Sequence, residues 1–263
     1  MTTAEIGVFG GSGFYAFLDE PEEVKVDTPY GAPSAAFTVG TIGGRRVAFL
    51  PRHGRDHGYP PHKVPYRANV WAMKELGVTR LFAPSAAGSL RREIPPRTFV
   101  VSDQAIDMTK GRVSTFYDGP TTVHVGFADP YCPAMRTALV EAATSLDVPH
   151  RDGGTMVVIE GPRFSTRAES KMFAQMGGDV IGMTQFPEVT LARELELCFA
   201  NVALVTDFDV GVDDIPPVSH AEVLKVFGEN ISSLRDVLFA AIPAVPTERD
   251  CACATALAGT GHE

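Results

Sequence analysis

A cluster of cationic side chains occupies positions 52–57, which read Arg52-His53-Gly54-Arg55-Asp56-His57. Two arginines and two histidines fall within this run, although the chain as a whole has a net charge of −9 at pH 7. The guanidinium of Arg52 presents a planar fork of donors that matches two phosphate oxygens. The run therefore predicts an anion-binding loop, with a solvated polar loop as the alternative. A metal site on His53, His57 and His62 is less favoured, because no carboxylate or cysteine lies at ligand spacing nearby.

Two further segments of small residues suit the close approach of an oxyanion. Gly10-Gly11-Ser12-Gly13 follows an apolar run, where glycines let backbone N–H groups face an anion and the Ser12 hydroxyl can donate to it. A plain tight turn is the alternative, and a dinucleotide-binding loop is disfavoured because the stretch that follows is too short for a crossover helix. Ser85-Ala86-Ala87-Gly88-Ser89 follows a second apolar run and fits either oxyanion binding or close packing of a strand on a helix.

Two carboxylates flank one aromatic residue in Thr206-Asp207-Phe208-Asp209, at the end of the apolar run 199–205. An aspartate held beside a purine accepts a hydrogen bond from the exocyclic amine when it is ionised, and donates to N7 when it is protonated. Either interaction helps adenine to leave. A helix N-cap or a solvated acidic turn is the alternative interpretation of these residues.

All four segments follow predicted strands, and the strands alternate with helices. Apolar and β-branched runs predict strands at 5–9, 80–83, 98–102, 155–159, 180–183 and 199–206, with a hairpin between 35–40 and 46–50. Helical spacing of apolar residues predicts helices at 66–76, 135–146, 165–176 and 218–239. We therefore expect a single α/β domain over 1–243, with a central mixed β-sheet flanked by helices, and a flexible tail over 244–263. Ligands bind at strand ends in such sheets.

Composition and charge disfavour several classes of protein. The 263 residues are 44% apolar and 21% charged, which is typical of globular domains. No apolar stretch is long enough for a membrane span, and we expect no secretion leader. An acidic chain without a basic face is not expected to bind nucleic acid. The four cysteines, among them Cys198 in an apolar run, indicate a reducing cytoplasm.

Together these segments resemble the methylthioadenosine phosphorylase branch of the trimeric purine nucleoside phosphorylases, in order over about residues 5–243. The matching runs, besides the glycine turn and the cationic run, are Ala86-Ala87-Gly88-Ser89-Leu90-Arg91, Ser114-Thr115-Phe116-Tyr117-Asp118, Ile159-Glu160-Gly161-Pro162-Arg163-Phe164, Met183-Thr184 with Pro187-Glu188, and Thr206-Asp207-Phe208-Asp209. The stretch 154–170, GTMVVIEGPRFSTRAES, is the most specific of them. The resemblance implies the nucleoside phosphorylase fold.

The resemblance also implies a role for each matching residue. Phosphate binding is expected of Ser12, Arg52, His53, Ser85, Ala86 and Thr184. Nucleoside binding is expected of Phe164 against the purine, Met183 against the ribose, and Asp207 and Asp209 at the base, with Asp207 also catalytic. Specificity is expected to depend on Ser165, His220, Val223 and His124. The 6-oxopurine enzymes carry asparagine at the position of Asp207, so the aspartate here favours adenine.

The implied reaction is phosphorolysis of S-methyl-5′-thioadenosine to adenine and 5-methylthioribose 1-phosphate. Phosphate attacks C1′ as the bond to N9 loosens, and Asp207 neutralises the charge that develops on adenine. Phosphate is a co-substrate, and no metal or redox cofactor is expected. Family members are commonly trimers in which a neighbouring subunit closes the 5′ end of the pocket, where His124 falls. A nucleosidase that uses water and a non-catalytic binding protein are the rival hypotheses.

Two features depart from the family pattern, and a third resembles only some of its members. His220 replaces a small apolar residue that lies beside the methylthio group in the animal enzymes, whereas a histidine in the 6-oxopurine enzymes bonds the 5′-hydroxyl. Adenosine or another 5′-substituted nucleoside therefore stays open as an alternative substrate, as does a solvent-facing histidine at a helix start. Pro84 stands where a hydroxyl residue precedes Ser85 in the family. Cys251-Ala252-Cys253 resembles a pair that is oxidised in some members from heat-loving archaea, and here we expect free thiols.

Overall fold

The structure, a computed structural model, describes residues 4–10, 18–212 and 219–260. Over these residues the chain forms an α/β domain built on two mixed sheets, so the predicted fold class is confirmed and the one central sheet of the prediction is divided into two. Within the described ranges, no helix combines the length and the apolar character needed to cross a bilayer.

The first sheet carries the N-terminal strands. Its members are β1 (Ile6–Phe9), β2 (Asp19–Val24), β3 (Phe37–Ile42), β4 (Arg45–Leu50), β5 (Arg80–Phe82) and β12 (Cys198–Ala200). They lie in the order β12-β5-β1-β4-β3-β2, with β12, β5, β1 and β4 parallel and the β2–β3–β4 portion antiparallel. The predicted hairpin is therefore confirmed as β3 and β4.

The second sheet carries the candidate ligand-binding residues Ser85, Ala86 and Asp207. Its members are β6 (Ser85–Ser89), β7 (Phe99–Val101), β8 (Gln104–Met108), β9 (His150–Asp152), β10 (Thr155–Ile159), β11 (Val180–Gly182) and β13 (Val202–Phe208). They lie in the order β8-β10-β11-β6-β13-β7-β9. The central pair β6 and β13 is parallel, and its register shifts between Val205 and Asp207, where Thr206 is the extra residue.

Within the described part of the chain, five α-helices flank the sheets: α1 (Tyr66–Glu75), α2 (Pro133–Ser145), α3 (Arg167–Gln175), α4 (Gln185–Glu194) and α5 (His220–Ala244). Short 3-10 helices occupy Pro61–Lys63 and Ala252–Thr255. Helix α3 begins with a capping box, because the Thr166 hydroxyl accepts from the Glu169 amide and the Glu169 carboxylate accepts from the Thr166 amide. In α5, Ser219 caps the first turn by accepting from the amide of Glu222.

Period-2 alternation along the strands places side chains in two cores, one on each face of the first sheet. In β4, Val47 and Phe49 join one buried cluster, whereas Ala48 and Leu50 join the other. The cluster around Phe49 also takes the inner faces of α2 and α5. Gly7 of β1 allows the close packing of α1, since a Cβ there would lie 2.7 Å from the Met73 sulfur.

Several observed elements differ from the prediction, and two of these differences have a clear physical cause. Residues 85–89 form strand β6, although their small side chains gave no apolar run from which to predict a strand. Helix α4 was not predicted, because nearly all of it is buried, polar Glu188 and Glu194 included, and it therefore lacks an amphipathic period. Helix α5 continues to Ala244, beyond the predicted end at 239.

The flexibility expected of residues 244–263 and the domain boundary expected at 243 both stay predictions. The structure shows which contacts a moving C-terminal segment would break. Val245 and Cys253 are buried against the core cluster that contains Phe49. The guanidinium of buried Arg80 donates to the carbonyls of residues 246, 247 and 248. Over its described residues, this segment therefore lies against the first sheet.

Candidate active site

Two neighbouring strands of the first sheet, β5 and β12, continue into two neighbouring strands of the second sheet, β6 and β13, and the candidate site lies along β6 and β13. Strand β5 continues into β6 through Ala83 and Pro84, and β12 continues into β13 through Asn201. The fully buried Asn201 amide joins the two crossings by donating to the Ala83 carbonyl (2.8 Å) and to Ser85 Oγ (3.1 Å). Its carbonyl oxygen accepts from Ser102 Oγ (2.7 Å). The starts of β6 and β13 are thereby fixed relative to each other.

Arg52 follows β4 and points into this junction, but its fork is already engaged. Its Nε and Nη2 donate to the two carboxylate oxygens of Glu188, the latter over 2.9 Å, and its Nη1 donates to the Pro84 carbonyl over 3.1 Å. Both side chains are buried, at 7% and 1% exposure. Burial raises the pKa of Glu188, and the Arg52 charge opposes that shift. Glu188, which sequence reasoning quoted only as part of a matching run, is thus the structural partner of Arg52.

His53 sits beside Arg52 with its ring stacked on His57, the ring centroids being 4.6 Å apart. Its Nδ1 lies 2.8 Å from the Tyr59 carbonyl oxygen, which can only accept, so Nδ1 carries a proton. Burial and the Arg52 charge lower the pKa of His53 to about 4. The imidazole is therefore neutral near pH 7, and its Nε2 presents a lone pair.

The remaining described phosphate candidates lie on elements around the same junction. Ser85 and Ala86 open β6 and are half-buried, next to the carbonyl that receives Arg52. Thr184 immediately precedes α4, is 7% exposed, and its hydroxyl makes no capping hydrogen bond. The first turn of α4 also holds Glu188, so Thr184 is carried by the same helix as the partner of Arg52. Ser12 lies outside the described residues.

Asp207 lies at the other end of the β6–β13 pair. It stands opposite Gly88, where a Cβ would come within 3.1 Å of the Asp207 Oδ2 atom, so a small residue is needed beside the carboxyl. Thr206 Oγ1 donates to Asp207 Oδ1 over 2.6 Å. Burial raises the pKa of Asp207 to about 6, with Thr206 opposing and the nearby Asp209 and Glu222 charges adding to the rise. The carboxyl is thus poised to exchange a proton near neutral pH.

Asp209 lies two residues on and is 3% exposed. Burial raises its pKa, and the hydroxyls of Ser170 and Ser165 lie close enough to oppose the shift. Asp209 Oδ2 and Ser165 Oγ are both buried, and among the residues that the structure describes neither makes a hydrogen bond of normal geometry, although the two groups are close enough to interact. Two adjacent polar atoms with unused hydrogen-bonding capacity fit the recognition of a polar ligand edge.

Arg112 is a positioning residue that sequence reasoning missed. Its side chain is 3% exposed, and its guanidinium donates to the backbone carbonyls of Met183 (2.8 Å), Phe186 (2.6 Å) and Glu160 (2.6 Å) and to the Glu160 carboxylate (3.2 Å). It therefore ties the turn after β10 to the loop that leads into α4. The sequence signal was available, since an arginine precedes the matching run 114–118.

The candidate nucleoside contacts lie around the loops that Arg112 joins. Met183 packs over Gly161, where a Cβ would lie 2.6 Å from the methionine sulfur and where φ is +64°. Phe164 is 37% exposed, which is unusual for a large apolar side chain and leaves its ring available to a ligand. Ser165 follows it, immediately before the Thr166 cap of α3.

Other specificity candidates divide between the start of α5 and a distant loop. Glu222 contributes to the electrostatic environment of Asp207, so the first turn of α5 lies near that carboxyl, and Val223 is half-buried in the same turn. His220 is the first residue of α5, and the structure does not describe its side chain. His124 is exposed in the loop between β8 and α2.

The arrangement gives the site two chemically different ends. Arg52, His53, Ser85 and Thr184 supply donors and one imidazole lone pair at one end, while Asp207 and Asp209 supply carboxyl groups at the other. Gly88, beside Asp207, lies three residues from Ser85 along β6, which corresponds to about 10 Å of extended chain. An anion and a proton-accepting base can therefore occupy opposite ends at the same time.

Comparisons with known proteins agree with this geometry. A family model described as the phosphorylase superfamily matches residues 5–243. The chain is 53% identical to an S-methyl-5′-thioadenosine phosphorylase of Thermofilum pendens, over 98% of both chains, and 53% identical to a purine nucleoside phosphorylase of Streptomyces coelicolor, over 97% of this chain and 95% of that one. Among solved structures, a methylthioadenosine phosphorylase from an antarctic soil metagenomic library superposes with a TM-score of 0.93 at 41% identity, covering 99% of this chain and 93% of that chain. A methylthioadenosine phosphorylase from Schistosoma mansoni in complex with adenine gives a TM-score of 0.87 at 37% identity, covering 94% and 93%.

Proposed function

Because the chain belongs to the phosphorylase superfamily, we propose that it is a pentosyltransferase that cleaves S-methyl-5′-thioadenosine with inorganic phosphate. The products are adenine and 5-methylthioribose 1-phosphate. The observation that carries the proposal is the half-buried Asp207 carboxyl at the end of β13, with Asp209 beside it and the Arg52 junction at the other end of the adjacent strand. The same activity is named for relatives that match nearly the whole chain.

Asp207 acts on the leaving group. As the C1′–N9 bond breaks, its electron pair moves onto adenine, and the protonated Asp207 donates to N7, so that neutral adenine departs. The pKa of about 6 allows the carboxyl to hold that proton without a large cost at neutral pH. Asp209 and Ser165, whose buried oxygens have spare hydrogen-bonding capacity, bind the amine edge of the base.

The phosphate end places the nucleophile. The neutral His53 accepts the hydroxyl proton of hydrogen phosphate in a hydrogen bond at Nε2, while the hydroxyls of Thr184, Ser85 and Ser12 and the amide of Ala86 donate to its other oxygens. An oxygen of the anion then forms the new bond to C1′. Arg52 contributes its positive charge, with Glu188 fixing the orientation of the guanidinium. Holding both reactants in line lowers the entropic barrier.

Purine nucleoside phosphorolysis with a 5′-hydroxyl substrate is the second candidate function. His220 starts the helix turn that lies near Asp207, and a relative at 53% identity is a purine nucleoside phosphorylase. A histidine hydrogen-bonds a 5′-hydroxyl better than a thioether, so adenosine is the substrate that this candidate favours. Methylthioadenosine remains our proposal because it is the substrate named for most of the relatives considered.

Initial rates with methylthioadenosine, adenosine and inosine, each with and without phosphate, test the proposal. We expect the highest kcat/KM with methylthioadenosine and no adenine release without phosphate. A higher kcat/KM with adenosine supports the second candidate, and faster turnover of inosine than of both adenine nucleosides contradicts the base assignment. Adenine release that is independent of phosphate makes the protein a nucleosidase.

We further propose that the working enzyme is a cytoplasmic homotrimer that needs phosphate as co-substrate and no metal or redox cofactor for this reaction. The exposure of His124 on the loop after β8 suits a contribution to a neighbouring subunit's site. Light scattering during size-exclusion chromatography measures the subunit number, and His124→Ala is expected to raise KM for the nucleoside without changing that number.

A further inference from the structure

All four cysteines of the chain lie together outside the candidate active site, although they come from three separate regions of the sequence. The Sγ atoms of Cys132, Cys198, Cys251 and Cys253 all lie within 4.8 Å of one another, and none is bonded to another. Cys132, Cys198 and Cys253 are buried and Cys251 is half-buried. Three of them line a small internal cavity of about 10 Å³ together with Arg80 and Arg249.

The four thiols come from three separate elements, each of which is fixed by its own contacts. Cys132 is the N-cap residue of α2, and its amide donates to the Phe199 carbonyl next to Cys198. Cys198 begins β12, the edge strand of the first sheet. Cys251 and Cys253 belong to the C-terminal segment, at the N-cap and the second residue of the 3-10 helix. Two thiols are thus provided by the folded domain and two by the segment that crosses it.

Two kinds of hydrogen-bond donor lie beside the cluster. Cys132 lies at a helix N-terminus, where the backbone N–H groups stabilise a negative charge. The Nε of Arg249 is buried and has no oxygen partner within the part of the chain described, so it is free to donate to a thiolate sulfur.

We propose that Cys132, Cys198, Cys251 and Cys253 form a tetrathiolate site for one divalent cation of the zinc type. Tetrahedral coordination with metal–sulfur bonds of about 2.3 Å separates the sulfurs by about 3.8 Å, which lies within the observed mutual separations. On binding, each of the four thiols loses its proton to solvent and forms one bond to Zn²⁺. The resulting site carries a charge of −2, which Arg249 and Arg80 partly neutralise.

The site would be structural rather than catalytic. All four coordination positions are filled by protein, which leaves no open position for water or substrate. The ion would join the C-terminal segment to β12 and to the start of α2, and its binding free energy would stabilise the folded chain.

Metal analysis and a cobalt spectrum of the wild-type protein test the site directly. The protein is purified with a non-thiol reductant from cells grown with zinc, and we expect one zinc ion per chain by mass spectrometry of the elements. Replacement by Co²⁺ should give thiolate-to-cobalt charge-transfer absorption and the strong visible bands of a tetrahedral site. A metal content near zero, or a cobalt spectrum without thiolate bands, overturns the proposal.

Variants and a redox control complete the test. Cys253→Ser should lose the bound metal, whereas Ala252→Ser, between the two C-terminal ligands, should keep it. Chelation of the metal under reducing conditions should lower the melting temperature of wild type and of Ala252→Ser, and leave that of Cys253→Ser unchanged. Rapid alkylation followed by intact-mass measurement counts the free thiols. A result of two disulfides in place of four thiols also refutes a tetrathiolate site.

Discussion

The buried ion pair between Arg52 and Glu188 permits a quantitative test, by the substitution Glu188→Gln. Glutamine keeps the volume of glutamate, so no cavity forms, but it leaves the Arg52 charge uncompensated where the two side chains are only 7% and 1% exposed. Breaking a buried pair by removing one charge costs about 3–5 kcal/mol. For a domain of this size, that loss lowers the melting temperature by roughly 6–20 °C.

The matched control is the same substitution in an exposed pair. Arg97 and Glu229 approach to 2.9 Å but are 61% and 41% exposed, and exposed pairs contribute about 0–1 kcal/mol. Glu229→Gln should therefore leave the melting temperature within about 4 °C of wild type. Scanning calorimetry of all three proteins, with and without phosphate, measures the difference.

Phosphate separates the electrostatic explanation from simple damage to packing. An anion bound beside Arg52 replaces part of the lost negative charge, so phosphate should stabilise Glu188→Gln more than wild type. If Glu188→Gln melts within 2 °C of wild type, or if phosphate stabilises both proteins equally, the assignment of Glu188 as the charge partner of Arg52 at the phosphate end is refuted.

Three further predictions concern the other parts of the site. The pKa of Asp207 is raised to about 6, so its protonated fraction falls as pH rises through that value, and kcat/KM should decline above about pH 6. Asp207→Asn should lower kcat/KM and abolish that inflection. An unchanged pH profile in the variant would rule out Asp207 as the proton donor. A lysine at position 112 cannot reproduce the guanidinium fork that reaches three carbonyls. Arg112→Lys should therefore lower the free energy of unfolding in urea by about 3 kcal/mol and raise KM for the nucleoside. The control Arg163→Lys, at an exposed ion pair, should change neither quantity. Gly88→Ala places a methyl group 3.1 Å from Asp207 Oδ2 and should lower kcat with little loss of secondary structure by circular dichroism; wild-type kcat would show that the carboxyl can move away.

Sequence patterns identified the fold class and most of the helices and strands because those elements have strong periodic signals. Strands such as 6–9 and 202–208 are apolar or β-branched, and the helices near 66–75 and 133–145 have one apolar face. The division into two sheets was not predictable in this way. It depends on the breaks at Pro84 and Asn201, and a single polar residue in an apolar run carries no information about which sheet the chain joins next.

Candidate site residues were found where their chemistry differs from that of their surroundings, as at Arg52 and Asp207. Partners separated by long stretches of sequence were missed. The partner of Arg52, Glu188, lies 136 residues away, and a glutamate in a helix is ordinarily solvated, so only the structure reveals it as a buried counter-charge. Arg112 was missed for the same reason, since its acceptors are mostly backbone carbonyls that have no sequence signature.

The hydrogen bonds of Asn201 also determine which dimensions of the site can change by substitution of side chains. Ser85 and Ala86, proposed to bind phosphate, and Asp207, proposed to bind the base, stand on two strands joined side by side, so the separation between these two parts of the site is a backbone length. A change of side-chain rotamer cannot lengthen it. The start of α5, by contrast, carries Val223 and His220 on a helix outside both sheets. Under the proposed assignment of that turn to the 5′ end of the nucleoside, new 5′ substituents can be accommodated by substitutions there, while the proposed axis of phosphate attack keeps its length.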